Sequence, residues 1–255
     1  MFDLNGKVAV VTGASSGLGR SVAIAYAKSG ADVVLLARRK ERLEEVAKEI
    51  KTLGKEALAI EMDVTDEESV KNGIAEAVKH FGHLDILFNN AGIAVGGGVT
   101  QLSVEEFEKS FDVNVKGIFL LSKYVVPHMI EQNYGKIVNT ASVNAIIADK
   151  EDTFIRHGYN ASKAAVLGLT LGMAASYGKN NITVNAIGPG LFETEMTKDT
   201  LFKSKEFLQM YSYSNPMSRP GRTGEVDGTV LYLSSDASSY VTGQFITIDG
   251  GATIV

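Results

Sequence analysis

The chain alternates between short apolar runs and longer segments in which apolar residues recur every three or four positions. The first run, residues 8–11, is rich in β-branched side chains and too short for a helix, so it predicts a strand buried on both faces. Similar runs lie at residues 31–37, 57–62, 84–88, 136–141, 183–187 and 245–248. The pattern therefore predicts seven strands.

Helical spacing fills most of the segments between these runs. Helices are predicted after the first strand, at about residues 43–53, at 65–81 and at 159–177. Residues 65–68 and 103–106 match the capping-box pattern that opens a helix, and the second set precedes a long helical region. The apolar positions of that region are Phe107, Phe111, Val115, Ile118, Phe119 and Val126.

Strands that alternate with helices over a whole chain imply an α/β fold, a doubly wound parallel sheet with helices on both faces and right-handed crossovers. The 255 residues, 45% of them hydrophobic, are enough to bury one large core. Only 4 prolines are present, and no charge block or low-complexity tract marks a linker. We expect a single domain over residues 1–255.

Composition excludes several function classes. A net charge of −5 argues against a nucleic-acid surface, which requires a basic face. No apolar run reaches the 18 residues that a membrane span needs. Because the first strand begins at about residue 8, we expect no secretory signal. The sequence contains no Cys, so disulfides and thiolate metal sites are not expected. We expect a cytoplasmic protein without a metal, a membrane or a nucleic-acid partner.

A glycine-rich turn follows the first strand. Gly13, Gly17 and Gly19 allow the backbone to turn sharply and to approach a ligand, and the helix that follows directs its N-terminus at the same place. Such a site suits a pyrophosphate. The spacing is Gly-x-x-x-Gly-x-Gly rather than the common Gly-x-Gly-x-x-Gly, so a glycine-rich connection without a ligand stays the alternative.

Ligands of doubly wound sheets bind at the carboxyl ends of the strands. This rule gathers several polar and glycine-rich segments along one edge. They are residues 12–19, Arg38, Asp63, residues 89–92, Ser142 and residues 189–194.

Tyr159 and Lys163 form a candidate acid/base pair. Separated by four positions, they lie on one face of one helix. A fixed positive charge favours the phenolate, so we expect Lys163 to lower the pKa of Tyr159. Ser142, at the end of the fifth strand, is expected to offer its hydroxyl to the same substrate oxygen, and Asn114 to hold Lys163 or a water. The alternative for Tyr159 and Lys163 alone is an ordinary exposed helix pair.

Together these residues resemble the short-chain dehydrogenase/reductase family over nearly the whole chain. The motifs that carry the resemblance are Thr12-Gly-x-x-x-Gly-x-Gly19, Asp63, Asn89-Asn-Ala-Gly92, Asn114, Ser142, Tyr159-x-x-x-Lys163 and Pro189-Gly190. The resemblance implies a Rossmann-like domain with a seven-stranded sheet, usually assembled as a homotetramer. It also implies that Tyr159 is the acid/base, that Lys163 binds the nicotinamide ribose, that Ser142 orients the carbonyl and that Asn114 completes a proton relay.

The resemblance also implies which residues bind a nicotinamide cofactor, and Thr194 is similar to the residue that binds its carboxamide. The implied positions are Gly13, Ser15, Ser16, Gly17, Leu18, Gly19, Arg38, Arg39, Asp63, Val64, Asn90, Ala91, Gly92, Tyr159, Lys163, Pro189, Gly190 and Thr194.

Arg38 and Arg39 bear on the choice between NAD and NADP. About 20 residues beyond the glycine turn, NAD enzymes carry an acid for the ribose hydroxyls and NADP enzymes an arginine for the 2′-phosphate. Here Ala37, Arg38 and Arg39 fill that place. We predict NADP(H), with Arg38 as the main contact and Arg39 stacking on the adenine. NAD(H), and a solvated Arg39, are the alternatives.

Two segments depart from the family pattern or vary within it. The stretch between Ser142 and Tyr159 is a few residues longer than is common, and the extra length is a charged loop at residues 148–157. Arg156 or His157 could bind an anionic or polyhydroxylated substrate there, although a solvated loop is favoured. Residues 191–221 occupy the position of the family's substrate lid, and residues 190–198 are similar to the same segment of gluconate 5-dehydrogenase-like members. The candidate pocket residues of the lid are Phe192, Met196, Phe202, Phe207, Met210, Tyr211, Tyr213 and Met217. For some of them, packing of a helix on the sheet is the alternative.

The leading hypothesis is an NADP(H)-dependent oxidoreductase that interconverts a secondary alcohol and a ketone, with Tyr159 as acid/base. The alternatives are an NAD(H)-dependent sugar acid or polyol dehydrogenase, a non-catalytic nucleotide-binding regulator, and a lyase or epimerase that uses the nicotinamide transiently. The substrate is left open between sugar acids and polyols, 3-oxoacyl thioesters and hydroxysteroid-like ketones.

Overall fold

The structure, a computed structural model, describes residues 2–152, 154–199 and 201–255, with Met196 described by its backbone only. Its strands are β1 (Val8–Thr12), β2 (Asp32–Ala37), β3 (Ala57–Glu61), β4 (Ile86–Asn89), β5 (Gly135–Thr140), β6 (Ile182–Pro189) and β7 (Phe245–Ile248). Its helices are α1 (Gly17–Lys28), α2 (Lys40–Thr52), α3 (Glu67–Phe81), α4 (Val104–Phe111), α5 (Gly117–Glu131), α6 (His157–Tyr177), α7 (Glu195–Lys198), α8 (Lys205–Ser214) and α9 (Asp227–Ser234).

Within the described residues, the seven strands form one parallel sheet in the order β3-β2-β1-β4-β5-β6-β7. The order reverses between β1 and β4, so a crevice opens at the carboxyl ends of these two strands. The predicted fold class is confirmed: a single-domain, Rossmann-like, doubly wound sheet. No helix in the described part of the chain is long and apolar enough to cross a membrane.

Successive side chains of the buried strands enter two different cores. Ala9, Val11 and Leu35 pack on one face of the sheet, and Val10 and Leu36 on the other. The first core is completed by apolar residues of α1, α2 and α9, and the second by those of α3, α5 and α6. Each fully buried Val or Leu contributes about 1.5–3 kcal/mol relative to exposure, so the two-sided burial explains why these strands are continuously apolar.

The helix starts agree only in part with the predicted capping boxes. The box at residues 103–106 is confirmed: Ser103 Oγ accepts from the Glu106 N–H at 3.1 Å, and Glu106 Oε2 accepts from the Ser103 N–H at 3.0 Å. The box at residues 65–68 is wrong, because α3 begins at Glu67 and Asp66 caps it by accepting from the Glu68 N–H at 3.0 Å. The carboxylate of Asp66 thus takes the place expected of the Thr65 hydroxyl.

The long helical region is interrupted by a π-helical segment, Asp112–Lys116, between α4 and α5. Ile118 and Val126 are buried as predicted, but Phe107 and Phe119 are 43% and 51% exposed. The widened turn changes which side chains face the sheet, so a single helical period does not describe the whole region. Helix α9 was not predicted, although its Val230 and Leu233 are fully buried.

Candidate active site

The turn between β1 and α1 is shaped for a phosphate. Gly13 and Gly17 have φ values of +66° and +54°, in the left-handed region that favours glycine. A Cβ on Gly19 would lie 2.4 Å from the Gly13 carbonyl oxygen, so the helix packs directly on the turn. Among the described residues, no side chain caps the α1 N-terminus at Ser16, which leaves its N–H donors for an anion. The turn therefore fits the pyrophosphate of a dinucleotide.

The β1 and β4 ends are tied together at the sheet crevice. Thr12 Oγ1 accepts from the backbone N–H groups of Asn90 at 2.9 Å and Ala91 at 3.0 Å, and the Asn90 side chain donates to the Thr12 carbonyl at 3.1 Å. These bonds fix the backbone of residues 90–92 beside the glycine turn. The predicted neighbourhood of these two segments is therefore present in the structure.

Asn114 pins the loop that follows β4 to helix α6. It is fully buried; its Nδ2 donates to the Ile93 carbonyl at 3.0 Å and to Ser162 Oγ at 2.9 Å, and its Oδ1 accepts from the Ile93 N–H at 2.9 Å. A Cβ on Gly92 would lie 3.1 Å from Asn114 Oδ1 and 3.4 Å from Lys163 Nζ. Asn114 and Lys163 therefore approach the same point of the backbone, although the hydrogen bonds of Asn114 go to the loop and to Ser162.

Tyr159 and Lys163 lie on α6 at the carboxyl edge of the sheet. Lys163 is 3% exposed, and its Nζ donates to the Thr140 carbonyl at 2.8 Å and lies 5.8 Å from the centre of the Tyr159 ring. Ser142 follows β5 and is also buried. Because Thr140 ends β5, the lysine joins the helix to the strand that carries Ser142. The two residues of the pair are therefore not an ordinary exposed helix pair.

The pKa of Tyr159 is raised rather than lowered, because burial of the phenol outweighs a hydrogen bond to Ser142 and the positive charge of Arg156. Burial also lowers the pKa of Lys163 to about 8. The expected lowering of the Tyr159 pKa by Lys163 is thus wrong. The same burial that brings the two groups together disfavours the charge on each of them.

The two arginines after β2 differ in their surroundings. Arg39 Nη2 donates to the hydroxyls of Ser15 and Ser16, both at 3.1 Å, and to Glu195 Oε2 at 2.7 Å. Arg38 is exposed, and its charge helps to lower the pKa of Asp63, after the larger effect of hydrogen bonds from Thr65. Arg39, not Arg38, therefore contacts the glycine turn; its side chain is 44% exposed and paired with Glu195.

Val64 and Leu18 flank the same crevice as packing residues. Val64 is buried against α5, since a Cβ on Gly117 would lie 2.9 Å from its Cγ2. Leu18, half-buried, packs against the core on the α1 side of the sheet. Their contribution to cofactor binding stays a prediction.

The predicted lid, residues 191–221, begins and ends at one point. The Gly221 N–H donates to the Leu191 carbonyl at 2.9 Å, and Phe192 forms a bridge with Gly221. Pro189 ends β6, and Gly190 has no room for a side chain because its Cβ would lie 2.9 Å from Asp249 Cα. Helices α7 and α8 lie between these ends, so the segment has structure of its own.

Only some of the candidate pocket residues line a cavity under this segment. A cleft of about 210 Å³ is lined by Phe192, Tyr211 and Met217, among other residues. Met210 and Tyr213 are 50% and 95% exposed, which is wrong for pocket residues. The ring of Phe207 lies 4.8 Å from that of Phe154, Phe202 is half-buried, and the side chain of Met196 lies outside the described residues.

The loop at residues 148–157 packs against the lid through that Phe154–Phe207 contact, with Thr153 outside the described residues. The Arg156 side chain is 21% exposed; its Nε donates to the Phe154 carbonyl at 3.0 Å and lies 3.7 Å from Asp149 Oδ2. His157 Nδ1 accepts from the Val99 N–H at 3.1 Å. Arg156 is therefore not a solvated side chain, and His157 supports the neighbouring glycine-rich loop.

Comparison with known proteins agrees with this geometry. The family model described as enoyl-(acyl carrier protein) reductase matches residues 13–253. The chain belongs to the short-chain dehydrogenase/reductase family. It is 39% identical to a 3-oxoacyl-acyl-carrier-protein reductase of Thermotoga maritima over 98% of this chain and 99% of that protein. It is 38% identical to a gluconate 5-dehydrogenase of Gluconobacter oxydans over 100% of this chain and 97% of that protein.

A solved structure of a short-chain dehydrogenase/reductase relative carries ligands. It is a gluconate 5-dehydrogenase from Burkholderia cenocepacia in complex with NADP and tartrate, with a TM-score of 0.94 and 33% identity over 100% of this chain and 98% of that one. This protein is thus an NAD(P)-dependent oxidoreductase of the family, acting on CH–OH groups.

Three functional candidates escaped the sequence reasoning. Glu195 and Arg42 meet Arg39 at the glycine turn, and Ser162 holds Asn114. Ser162 lies between Tyr159 and Lys163 on the same helix, so its place in this motif could have indicated that it belongs to the site. Nothing in the spacing of Glu195 indicated its partners, which lie more than 150 positions away in the chain.

Proposed function

We propose that this protein is an NADP(H)-dependent oxidoreductase that interconverts a secondary alcohol and a ketone, with Tyr159 as the acid/base. The observation that carries the proposal is the meeting of Tyr159, Lys163 and Ser142 at the crevice beside the glycine turn. These side chains come from α6 and from the end of β5, and Lys163 is hydrogen-bonded to Thr140 at 2.8 Å. The arrangement supplies one proton donor and one fixed hydroxyl to a carbonyl oxygen.

A nicotinamide cofactor, when bound, would supply a hydride to the carbonyl carbon or accept one from the alcohol carbon. In reduction, the Tyr159 phenol donates its proton to the developing alkoxide, and the Ser142 hydroxyl hydrogen-bonds the same oxygen. One hydride and one proton are thereby added, so the product alcohol is neutral at that oxygen. The raised pKa of Tyr159 keeps the phenol protonated at neutral pH, which suits this direction.

Lys163 has two tasks in this scheme. Its ammonium stabilises the phenolate that remains after proton donation, and it holds the ribose hydroxyls of the cofactor. Burial lowers its pKa to about 8, which leaves it mostly protonated at neutral pH. The negative charge of a phenolate would raise that pKa further, so the lysine is charged when its charge is needed.

The preference for NADP(H) is supported by positive charge at the end of β2. Arg38, Arg39 and Arg42 are clustered there, and Arg39 contacts Ser15 and Ser16 of the turn. Guanidinium groups and hydroxyls are the donors that hold a phosphate monoester. The relative from Burkholderia cenocepacia, solved with NADP, supports the same choice.

For the substrate we favour a hydroxy or keto acid of the sugar-acid class. Arg156 is partly buried and close enough to Tyr159 for its charge to lower the pKa of the phenol. A carboxylate on the substrate would find this guanidinium beside the reacting carbonyl. The gluconate 5-dehydrogenase relative supports this class, whereas the 3-oxoacyl reductase relative keeps acyl thioesters as the second candidate.

Assembly and location are part of the proposal. A homotetramer is supported by apolar side chains at the surface, among them Phe119 and Leu171, which are 51% and 57% exposed. Light scattering of the purified protein would measure its mass directly, and a monomer at micromolar concentration would contradict the proposed homotetramer. A cytoplasmic location is proposed from the sequence expectation alone.

The test of the proposed reaction is a panel of ketones and alcohols followed by the absorbance of the reduced nicotinamide. We expect NADPH to be consumed with keto acids, and Tyr159→Phe to lose activity by a factor of about 10²–10⁴ while NADPH still binds. Unchanged turnover in Tyr159→Phe would contradict the acid/base role. Binding without turnover of any substrate in the wild type would favour a regulatory protein.

A further inference from the structure

The carboxylate of Glu195 lies in a cluster of positive and hydroxyl donors at the glycine turn. Its Oε2 accepts from Arg39 Nη2 at 2.7 Å, and its Oε1 accepts from Arg42 Nη1. The same Arg39 nitrogen reaches the hydroxyls of Ser15 and Ser16 at 3.1 Å each. Three separate parts of the chain, the β1–α1 turn, the α2 N-terminal region and α7, therefore meet at one carboxylate.

The chemistry of this cluster is that of an anion site. Each carboxylate oxygen is held by a different guanidinium, and a further hydrogen bond involves Ser16. The Arg39 hydrogen bond, followed by those of Arg42 and Ser16, lowers the pKa of Glu195 to about 2. Glu195 is therefore ionised at neutral pH, and a second anion would compete with it for the same donors.

We infer that Glu195 occupies the site that the 2′-phosphate of NADP(H) takes, so that this residue sets the discrimination between NADP(H) and NAD(H). The inference rests on the proposed cofactor binding at the glycine turn. A phosphate monoester needs the donors that Glu195 now holds, namely Arg39, Arg42 and the two serines. NAD(H), which has hydroxyls there, leaves Glu195 on its arginines.

Competition of this kind weakens the binding of NADP(H) without changing that of NAD(H). The energy of the Glu195 contacts must be given up before the phosphate can gain the same donors. The side chains of Arg39, Arg42 and Glu195 are 44–46% exposed, and exposed ion pairs are individually weak. The penalty is therefore moderate, and the contact of Glu195 with the two arginines tunes the cofactor preference instead of abolishing it.

The position of Glu195 also couples the cofactor to the predicted lid. Glu195 is the first residue of α7, and Thr194 before it lies over the glycine turn, where a Cβ on Gly17 would be 3.5 Å from Thr194 Cβ. Without a phosphate, the Glu195 contacts hold α7 against the turn. A phosphate that displaces the carboxylate frees α7 from the arginines, whereas NAD(H) does not.

The test measures binding of 2′,5′-ADP and 5′-ADP to the purified protein by calorimetry, since neither nucleotide carries a nicotinamide. In Glu195→Gln we expect 2′,5′-ADP to bind about fivefold tighter than in the wild type, with 5′-ADP within about twofold. Glu193→Gln is the matched control, because it removes the same charge from an exposed carboxylate two residues away. In the double variant Glu195→Gln, Arg42→Gln, the gain in 2′,5′-ADP affinity should disappear.

The outcomes separate this inference from the proposed cofactor preference. Equal affinity of Glu195→Gln and the wild type for 2′,5′-ADP would overturn the inference, as would the same gain in Glu193→Gln or the same gain for 5′-ADP. The preference of the wild type itself, measured with NADPH and NADH, tests the proposed function. A wild type that prefers NADH, together with a Glu195→Gln variant that gains 2′,5′-ADP affinity, would refute the preference and support the role of Glu195.

Discussion

The Nζ of Lys163 donates a 2.8 Å hydrogen bond to the carbonyl oxygen of Thr140, the last residue of β5. The ammonium is thereby held by the backbone of the sheet, and no carboxylate among the described residues forms an ion pair with it. A buried lysine without a counter-ion costs folding free energy while its charge is kept for the reaction. The site is therefore expected to trade stability for function.

Replacing Lys163 by Met should make this trade visible. A pKa of about 8 instead of 10.5 means that burying the charge costs the folded protein about 3 kcal/mol at neutral pH. Lys163→Met removes this cost, but part of the stability gained is lost because the Thr140 carbonyl loses its hydrogen-bond donor. We expect Lys163→Met to raise the free energy of unfolding by about 1–2 kcal/mol at pH 7 and to abolish turnover. Urea unfolding measures the first effect.

The pH dependence of unfolding tests the same assignment. The unfolded chain keeps the Lys163 proton up to about pH 10.5 and the folded chain only up to about 8, so the unfolded state binds more protons between these values. Wild-type stability should gain a contribution from this group as pH rises from 8 to 10.5, and Lys163→Met should lack it. A rise in the variant as large as that of the wild type, or larger, would contradict the assignment.

The raised pKa of Tyr159 predicts opposite pH profiles for the two reaction directions. Alcohol oxidation needs the phenolate, so its rate should rise with pH from the neutral into the alkaline range. Ketone reduction needs the phenol, so its rate should stay constant at neutral pH and fall only at alkaline pH. The pH profiles are measured as the rates of alcohol oxidation and of ketone reduction, each at saturating cofactor. A rise in oxidation that survives in Tyr159→Phe would assign the titration to another group.

Arg156 should affect both the substrate and the pKa of Tyr159. Removing its charge in Arg156→Gln takes away a group that lowers the Tyr159 pKa, so the alkaline rise of alcohol oxidation should move to higher pH. We also expect KM for keto acids to rise about tenfold, with KM for neutral ketones unchanged. His157→Gln is the control, since His157 contacts the backbone of Val99 instead. Equal changes for charged and neutral substrates would exclude carboxylate binding.

Gly19 should not tolerate a side chain. Its Cβ would lie 2.4 Å from a backbone carbonyl, which cannot move without opening the turn. We expect Gly19→Ala to cost about 1–3 kcal/mol of unfolding free energy and to weaken nucleotide binding. Gly168→Ala on α6, where a Cβ would meet nothing within 4 Å, is the control and should be neutral or stabilising by up to about 1 kcal/mol.

The sheet and the central residues of the site could be predicted because both follow from short-range patterns. Buried parallel strands are continuously apolar, and every strand delivers its last residues to the same edge. Tyr159 and Lys163 share a helix face, and Ser142 directly follows a strand, so their meeting follows from the topology. Helix α9 was missed because it is only eight residues long and lies between the lid segment and β7.

Contacts between exposed or distant side chains could not be predicted in this way. The ion pairs of Glu195 join positions 153 and 156 apart and leave no periodicity in the sequence. The pKa of Tyr159 is raised because the phenol is buried. The sequence showed the neighbouring Lys163, which favours a lower pKa, but it did not show the burial. Arg38 and Arg39 are adjacent in sequence, and only the path of the backbone after β2 decides which of them reaches Ser15.

The π-helical segment at Asp112–Lys116 makes the site sensitive to chain length. A π turn holds about one residue more than an α turn, and each residue of an α-helix turns by about 100°. Deleting a single residue just before Asn114 would let the helix run on regularly, but it would rotate the amide away from the Ile93 backbone that it now holds on both sides. The additional residue of the π turn thus acts as a spacer. A regular α-helix at this place would leave the backbone beside Lys163 without its hydrogen bonds to Asn114.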